Sequence, residues 1–358
     1  MKDFLVIGGG IAGISAAARL SDLGEVTVLE AESGLGYHAS GRSAAVFEQT
    51  YGEPSTIVLN RASHTFHACA NGGVLSPRGM MLIGSTHDRA AFMAGLKTMA
   101  MEQISPQDAM AMVPILNPKV VVRVGFNRNT SDLDTDRLMQ NFARRVRANN
   151  GQVLTGRRVL GIKRARNGWV VTTNAGDFGA KQLVNAAGAW VDEVASMAGV
   201  APLGFVPKRR SMARIPAPGG HDISAWPMIH GPANSWYAKP DAGKLLVSPS
   251  ESDPMPPHDA WPDDLVLAEG IARYEAVVTE PVRRLETSWA GLRTFSPDRS
   301  LVLGPDRRVP SFIWVAGQAG CGFQTAPAAS QLIADLVAGQ NSELDAATVL
   351  SLSPLRFG

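Results

Sequence analysis

Two glycine-rich stretches carry the chemistry that can be read first: GGGIAG at residues 8–13 and VAGQAGCGFQTAPA at residues 315–328. Gly8, Gly10 and Gly13 have the spacing G-x-G-x-x-G. In that spacing the first glycine permits a tight turn and the second lets backbone approach a pyrophosphate. The third lets a helix pack closely on the strand behind it. Ile11 and Ala12 open that helix, whose N–H groups and positive dipole end favour phosphate. Glu30 lies 22 residues beyond Gly8, followed by Ala31, where a carboxylate can accept from ribose hydroxyls. The spacing alone does not choose between NAD and FAD. The second glycine run has no phosphate left to serve.

The elements that must position these residues are legible in outline. Phe4 to Ile7 is a continuous apolar run, as in a buried parallel strand. ISAAARLSDLG predicts a small-residue helix ending at Gly24, and Val26 to Leu29 a second strand. Residues 132–151 predict a helix starting at Asp132 or Asp134, with Leu138, Phe142 and Val146 on one face and a glycine stop. QVLTG, VLGIKRA and WVVTTNA after it are strand-like. LVNAAGAW (183–190) runs an apolar strand into small residues and a helix, which suits a strand beside the first one. The nucleotide domain is then assembled from separated pieces. The alternation in SWYAK and GKLLVSPS predicts mostly antiparallel strands in a second domain.

Composition sets outer limits. The chain has 358 residues, 45% hydrophobic and 18% charged, an ordinary globular mixture. Lys and Arg number 34 against 32 Asp and Glu, a net charge of +2 with no basic run, so neither nucleic acid nor an anionic membrane is an expected partner. A small molecule is. The two cysteines, Cys69 and Cys321, have no paired spacing, so neither a disulfide nor a metal site is expected. MKDFLVIGGG lacks the apolar length of a secretory signal, and no apolar run reaches the ~18 residues of a membrane span. A cytoplasmic protein is the expectation.

Several further motifs run in order along almost the whole chain: GYHASGRSAA (36–45), LSPRG (75–79), NAAGAW (185–190), PLGFVPKRRS (202–211), WYAKPDAG (236–243), SWAGLRTFSPD (288–298) and WVAGQAGCGFQT (314–325). With GGGIAG, the chain resembles the D-amino-acid oxidase superfamily, and within it the D-arginine dehydrogenases most. The resemblance implies an α/β fold: an FAD-binding, doubly wound domain (1–45, 132–203 and 293–358) interleaved with an α+β substrate domain (46–131 and 204–292) whose sheet is mostly antiparallel. It implies non-covalent FAD and oxidation of a carbon–nitrogen bond beside a carboxylate. Ser40, Gly41, Arg42 and Ser43, with Ala44 and Ala45, would run along the pyrophosphate and the flavin N5 side. Val159, Ala187, Gly188 and Trp190 would complete the cofactor wall. The 315–328 stretch would open a helix facing the pyrimidine edge of the ring, where charge develops on reduction. There Gly317, Gly320 and Gly322 would be small so that backbone lies against a flat ring. Phe323 and Gln324 would follow, and Thr325 would suit a cap.

For the substrate, the resemblance selects Arg210, Tyr237 and Arg293 as carboxylate partners and puts Tyr51 on a mobile loop between hinges at Gly52 and Pro54. Arginine suits this task because its parallel N–H donors match a carboxylate. Arg209 and Arg210 are adjacent, so on a strand only one of them faces a given pocket. Two positions depart from the D-arginine dehydrogenases: an acid becomes Met80 and a histidine becomes Val46. Both make the side-chain pocket more apolar and argue for neutral substrates. Glu48, two residues on, is read as a solvated loop acid rather than a displaced substrate partner. Cys321 replaces an aromatic residue and would widen the pocket. The expected reaction is hydride transfer from a D-amino-acid Cα to flavin N5, giving an imino acid and then a 2-oxo acid and ammonia. The electrons would pass to O2 or a quinone-type acceptor. No general base stands out; His38 is read as a packed or cofactor-side histidine. The alternatives are oxidation of N-alkyl glycines or 2-hydroxy acids on the same fold, or a flavin-binding protein without turnover.

Overall fold

The computed structural model describes residues 1–357, and in it two large sheets meet across a deep cavity. The first is built on Lys2–Ile7, whose last four residues are buried on both faces. Val26–Leu29 and Gly176–Asn185 flank it, both parallel to it. Gln152–Leu154 extends one side and Phe312–Ala316 the other, again in parallel. Val302–Pro305 adds an antiparallel edge, and Val159–Ala165 with Gly168–Thr173 form a meander onto the start of Gly176–Asn185. Helices Ile11–Leu20, Thr135–Ala148 and Gly322–Ala338 cover one face through Ile14, Leu138, Phe142 and Leu332. Trp169, Val191 and Trp314 pack on the other. This is the doubly wound arrangement expected.

Local chemistry explains the elements. Asp134 caps Thr135–Ala148 by accepting from the Arg137 amide, and Leu138, Phe142 and Val146 are buried at the predicted spacing. The first helix departs from expectation: it ends at Leu20, and a turn from Ser21 to Leu23 precedes Gly24. Gly24 serves packing, since a Cβ there would lie 2.6 Å from an Asp3 carboxylate oxygen.

The second sheet has the strand order Thr287–Phe295, Val206–Pro216, Lys244–Ser248, Tyr237–Asp241, Met228–His230, Met80–Gly84, Arg123–Asn127 and Glu102–Ile104. All its pairs are antiparallel except Met228–His230 with Met80–Gly84. Side chains alternate between faces. Met81, Ile83, Val247 and Trp236 form a core on one side, with Tyr274 of helix Asp264–Glu275 above it. Met80, Met228, Tyr237 and Arg210 line the cavity. A small third sheet joins Val46–Phe47, Ser131–Leu133 and Leu75–Pro77. The expected divisions at 131/132 and 292/293 fall inside the strands Ser131–Leu133 and Thr287–Phe295, because each strand continues its pairing across that point. Among the described residues, no helix is long and apolar enough to cross a membrane.

Candidate active site

The cavity has a volume of about 590 Å³, within the range of ligand sites, and runs from the end of Val26–Leu29 to the face of the second sheet. Of the cofactor and substrate residues singled out in the sequence, all but Gly13, Gly41, Gly317, Cys321 and Thr325 line it. At one end Gly8 is at φ +107°, and a Cβ there would sit 2.4 Å from the Ala186 carbonyl oxygen. Gly13 lies behind the wall, where a Cβ would come 1.9 Å from Gly8 O, so its smallness brings the helix against the strand. Glu30 is 9% exposed and accepts from the amides of Gly9 (2.7 Å) and Glu32 (2.8 Å). Each of its oxygens keeps a second lone pair, so ribose hydroxyls can still be received. Ser40 Oγ accepts from the Ile11 amide at 3.0 Å and ties the 36–45 loop to the helix start. A glycine-lined helix N-terminus with no acidic residue in its first turn, and a fixed carboxylate beyond it, fit an adenine dinucleotide such as FAD.

Arg42 lines the cavity and also anchors its own loop. Its guanidinium donates to the carbonyls of Ala260 (2.9 Å) and Ala290 (2.7 Å) and pairs with Asp259, while Trp289 donates to Arg42 O at 3.1 Å. These donors fasten the 36–45 loop to the second sheet. His38 bonds Glu32 at 3.1 Å and packs on Trp190 with ring centroids 4.8 Å apart, a cofactor-side position.

The other end is cationic. In the register of Val206–Pro216 with Thr287–Phe295, Lys208 faces Arg293 and Arg210 faces Gly291, so Arg210 and Arg293 rise diagonally from one face. Arg209 turns to the opposite face and pairs with Asp253 at 3.1 Å. Arg210 donates through Nε to Glu251 O at 2.8 Å. Among the described residues neither Arg210 nor Arg293 has a carboxylate partner. Burial, and after it the Arg293 guanidinium, lower the pKa of Arg210. Burial also works against Arg293, but the Tyr51 and Tyr237 hydroxyls and the Cys321 thiol beside it outweigh that, and its pKa is raised. Two half-buried guanidinium groups with no carboxylate bonded to either, flanked by two phenols, are a receptor for an anion.

The second glycine run has its own explanation. Helix Gly322–Ala338 begins at the cavity, and Gly322, Phe323 and Gln324 line it. A Cβ on Gly320, however, would lie 1.8 Å from Arg293 Nη2. The flat group that Gly320 admits is therefore the Arg293 guanidinium. A Cβ on Gly322 would meet Ile11 Cγ2 at 3.2 Å, and Gly317 is at φ +75° against Phe205. Thr325 is no cap: it sits inside the helix and donates to Cys321 O at 3.0 Å. Cys321 itself precedes the helix, buried behind the cavity wall, and burial pushes its thiol up to about 11.

Glu48 is not solvated. It is 5% exposed and accepts from Thr50 (N 3.0 Å, Oγ1 2.8 Å), Asn127 Nδ2 (2.8 Å) and Thr130 Oγ1 (2.6 Å). Its own amide donates to Gln324 Oε1 at 2.6 Å. Tyr51 lies just beyond, its carbonyl accepting from Asn60 at 2.9 Å, and Gly52 turns the chain at φ +115°. The reading from sequence missed His230, Met228 and Met99, which also line this end. Only strand pairing reveals them: His230 lies directly opposite Tyr237, and Met228 opposite Met80.

Comparison with known proteins follows the same lines. The model of the family described as FAD dependent oxidoreductase (DAO) matches residues 3–336. FAD-dependent oxidoreductase domain-containing protein 1 of Bos taurus is 23% identical over 424 residues, covering 99% of this chain and 84% of that protein. The structure of L-proline dehydrogenase from P. horikoshii superposes with a TM-score of 0.84 at 21% identity, covering 99% of this chain and 97% of that one. Glycine oxidase from Geobacillus kaustophilus gives 0.82 at 20% identity, covering 99% and 98%.

Proposed function

Because this chain belongs to the FAD-dependent oxidoreductase (DAO) family and is thus an FAD-binding enzyme, we propose that it oxidises the Cα–N bond of D-amino acids with neutral side chains. The observation that carries this is the pair of guanidinium groups, Arg210 and Arg293, facing one cavity with no carboxylate of their own. They hold the substrate carboxylate in two-pronged fashion, with the Tyr237 and Tyr51 hydroxyls beside them. Held at Gly8, Gly10, Glu30 and the Ser40 loop, FAD would supply the acceptor for the substrate's Cα hydride, and the resulting imino acid would be hydrolysed by water to a 2-oxo acid and ammonia. The chain's own part is orientation and exclusion of water. The sheet fixes Arg210, Arg293 and Tyr237, while the Tyr51 segment, turned at Gly52, flanks the cavity.

The D configuration rests on the resemblance of the motifs to those of the D-arginine dehydrogenases. Neutral side chains are supported by Val46, Met80 and Met228 at the far end, and by Glu48, whose oxygens are already taken up by Thr50, Asn127 and Thr130. Among the alternatives, a 2-hydroxy acid needs a histidine base. The cavity histidine on the second sheet, His230, is lowered to about 4 by burial, which leaves it a weak base.

Anaerobic mixing with a panel of amino acids of both hands tests the reading through bleaching of the flavin. Neutral D-amino acids should bleach it. Bleaching by cationic D-amino acids alone, or by L-amino acids alone, overturns it. With no base placed at the amino group, kcat/KM should rise from neutral to alkaline pH as the substrate ammonium loses its proton. A flat profile contradicts that mechanism.

A further inference from the structure

The far end of the cavity is mostly apolar, and of its polar side chains Glu48 has its oxygens already taken up, while Asn234 and His230 also line it. Val46, Met80, Met99 and Met228 surround it, and among them stands the imidazole of His230. His230 is the last residue of Met228–His230 and is 4% exposed. It lies directly opposite Tyr237 and, on its other side, opposite Leu82, so its side chain rises from the sheet face that carries Tyr237 and Met228. Its Nδ1 has one neighbour, the Gly231 carbonyl at 3.3 Å, and its Nε2 has none. A buried polar nitrogen without a partner costs free energy, and a protein retains one where something else is to fill it.

The two nitrogens have different roles. Burial keeps the ring neutral at physiological pH, so one nitrogen carries a proton and the other a lone pair. The Gly231 carbonyl can only accept, which assigns the proton to Nδ1 and the lone pair to Nε2. The unpaired nitrogen is thus an acceptor, and it sits on the sheet face next to the tyrosine that would hold the substrate carboxylate.

We propose that His230 reads the substrate side chain: its Nε2 accepts a hydrogen bond from a hydroxyl, indole or amide N–H group carried on an otherwise apolar, uncharged side chain. This inference rests on the amino-acid reading above and narrows it to a substrate class. A site of this kind discriminates by what it leaves unpaired. A substrate lacking the donor forces Nε2 to stay buried and unsatisfied, so the donor-bearing member of a matched pair is preferred by about tenfold or more.

The experiment uses the FAD-loaded enzyme and amino-acid pairs that differ only in the donor, tyrosine against phenylalanine and threonine against valine, in whichever hand bleaches the flavin. The wild type should favour the donor-bearing member by at least about tenfold in kcat/KM for the pair whose length suits. His230→Leu should bring the ratio to within about twofold by slowing the donor-bearing member alone. His230→Gln, which keeps an acceptor, should restore part of the preference. An unchanged ratio in His230→Leu, or no preference in the wild type, overturns the proposal. Binding of 4-hydroxybenzoate against benzoate, followed by the flavin spectrum, repeats the comparison without turnover. Discrimination there that His230→Leu abolishes, with no amino acid oxidised, sinks the amino-acid reading and keeps the role of His230. Equal binding of the two benzoates by an enzyme that oxidises no amino acid overturns both.

Discussion

At the scale of single residues, Gly320 is the position where sequence and structure instruct each other most. The sequence marks it as small but cannot say for whose sake, because Arg293 lies 27 residues earlier on a strand of the other sheet. In the structure any Cβ at 320 occupies the space of the Arg293 guanidinium. Gly320→Ala should therefore displace Arg293 rather than the cofactor. A displacement of about 1 Å in a positioning group costs roughly 100-fold in rate, so kcat/KM should fall by that order while the flavin content and spectrum stay unchanged. Loss of flavin from the variant would show that the methyl meets the cofactor instead. The adjacent arginines give a second contrast. Arg210→Met removes a cavity cation and should lower kcat/KM by roughly 100- to 1000-fold, whereas Arg209→Met removes ion pairs with Asp253, Asp263 and Glu251 on the opposite face of the sheet and should change it less than about threefold. Equal losses in the two variants would remove Arg210 from the substrate's carboxylate. Strand alternation made the choice between them legible in principle. The burial of Glu48 was not legible, because Asn127 and Thr130, which hold it, come from the end of one strand and the turn leading to the next some 80 residues on.

At the scale of elements, the helix that closes the site is spliced to its neighbour. Pro327 lacks an N–H and so leaves the carbonyl one turn earlier without its helical donor. The next amide, Ala328, donates to Ser63 Oγ at 3.1 Å, and the Gln324 carbonyl accepts from His67 Nε2 at 2.9 Å. Ser63 and His67 are four apart on helix Pro54–Cys69, the element that follows the Tyr51 segment. Thus one face of that helix repairs the break in the other, and Gln324 is held by its backbone at His67 and by its side chain at the Glu48 amide. Removing one of these buried partners leaves an orphaned backbone group and costs about 1–3 kcal/mol. Ser63→Ala and His67→Ala should each lower the urea midpoint of the holoenzyme accordingly, and unchanged midpoints would mean the splice carries no weight. The helix Thr135–Ala148 could be read directly, since its cap and four-residue spacing are local signals. A proline at position 327 reads locally as a helix breaker, and only the packing of a second helix shows why the helix continues to Ala338.

At the scale of the whole molecule, the order of strands in both sheets joins residues far apart in the chain, and this is where the sequence is least explicit. The dinucleotide pattern identifies the first sheet because strand, turn and helix are contiguous there. In the second, Met80 meets Met228 and His230 meets Tyr237 only after folding, so the side-chain end of the cavity could not be assembled beforehand. The same assembly buries two histidines, and they set how the molecule responds to acid. Burial lowers both His67 and His230 to about 4, with the Gln324 carbonyl opposing the shift in the former. The unfolded chain titrates these rings near 6.5, so between that pH and about 4 it binds protons that the native state refuses. Stability contributed by neutral burial is then complete above about 6.5 and drains away as pH falls, by up to about 3 kcal/mol for each ring at the lower end. Urea midpoints of the holoenzyme should drop between pH 7 and pH 5, and His67→Gln should flatten that drop because one of the two titrating rings is gone. Equal slopes in wild type and variant would show that burial of His67 does not set the acid sensitivity in this window; the carboxylates of Asp259 and Asp298, paired with Arg42 and Arg356, have lowered values and act only below it.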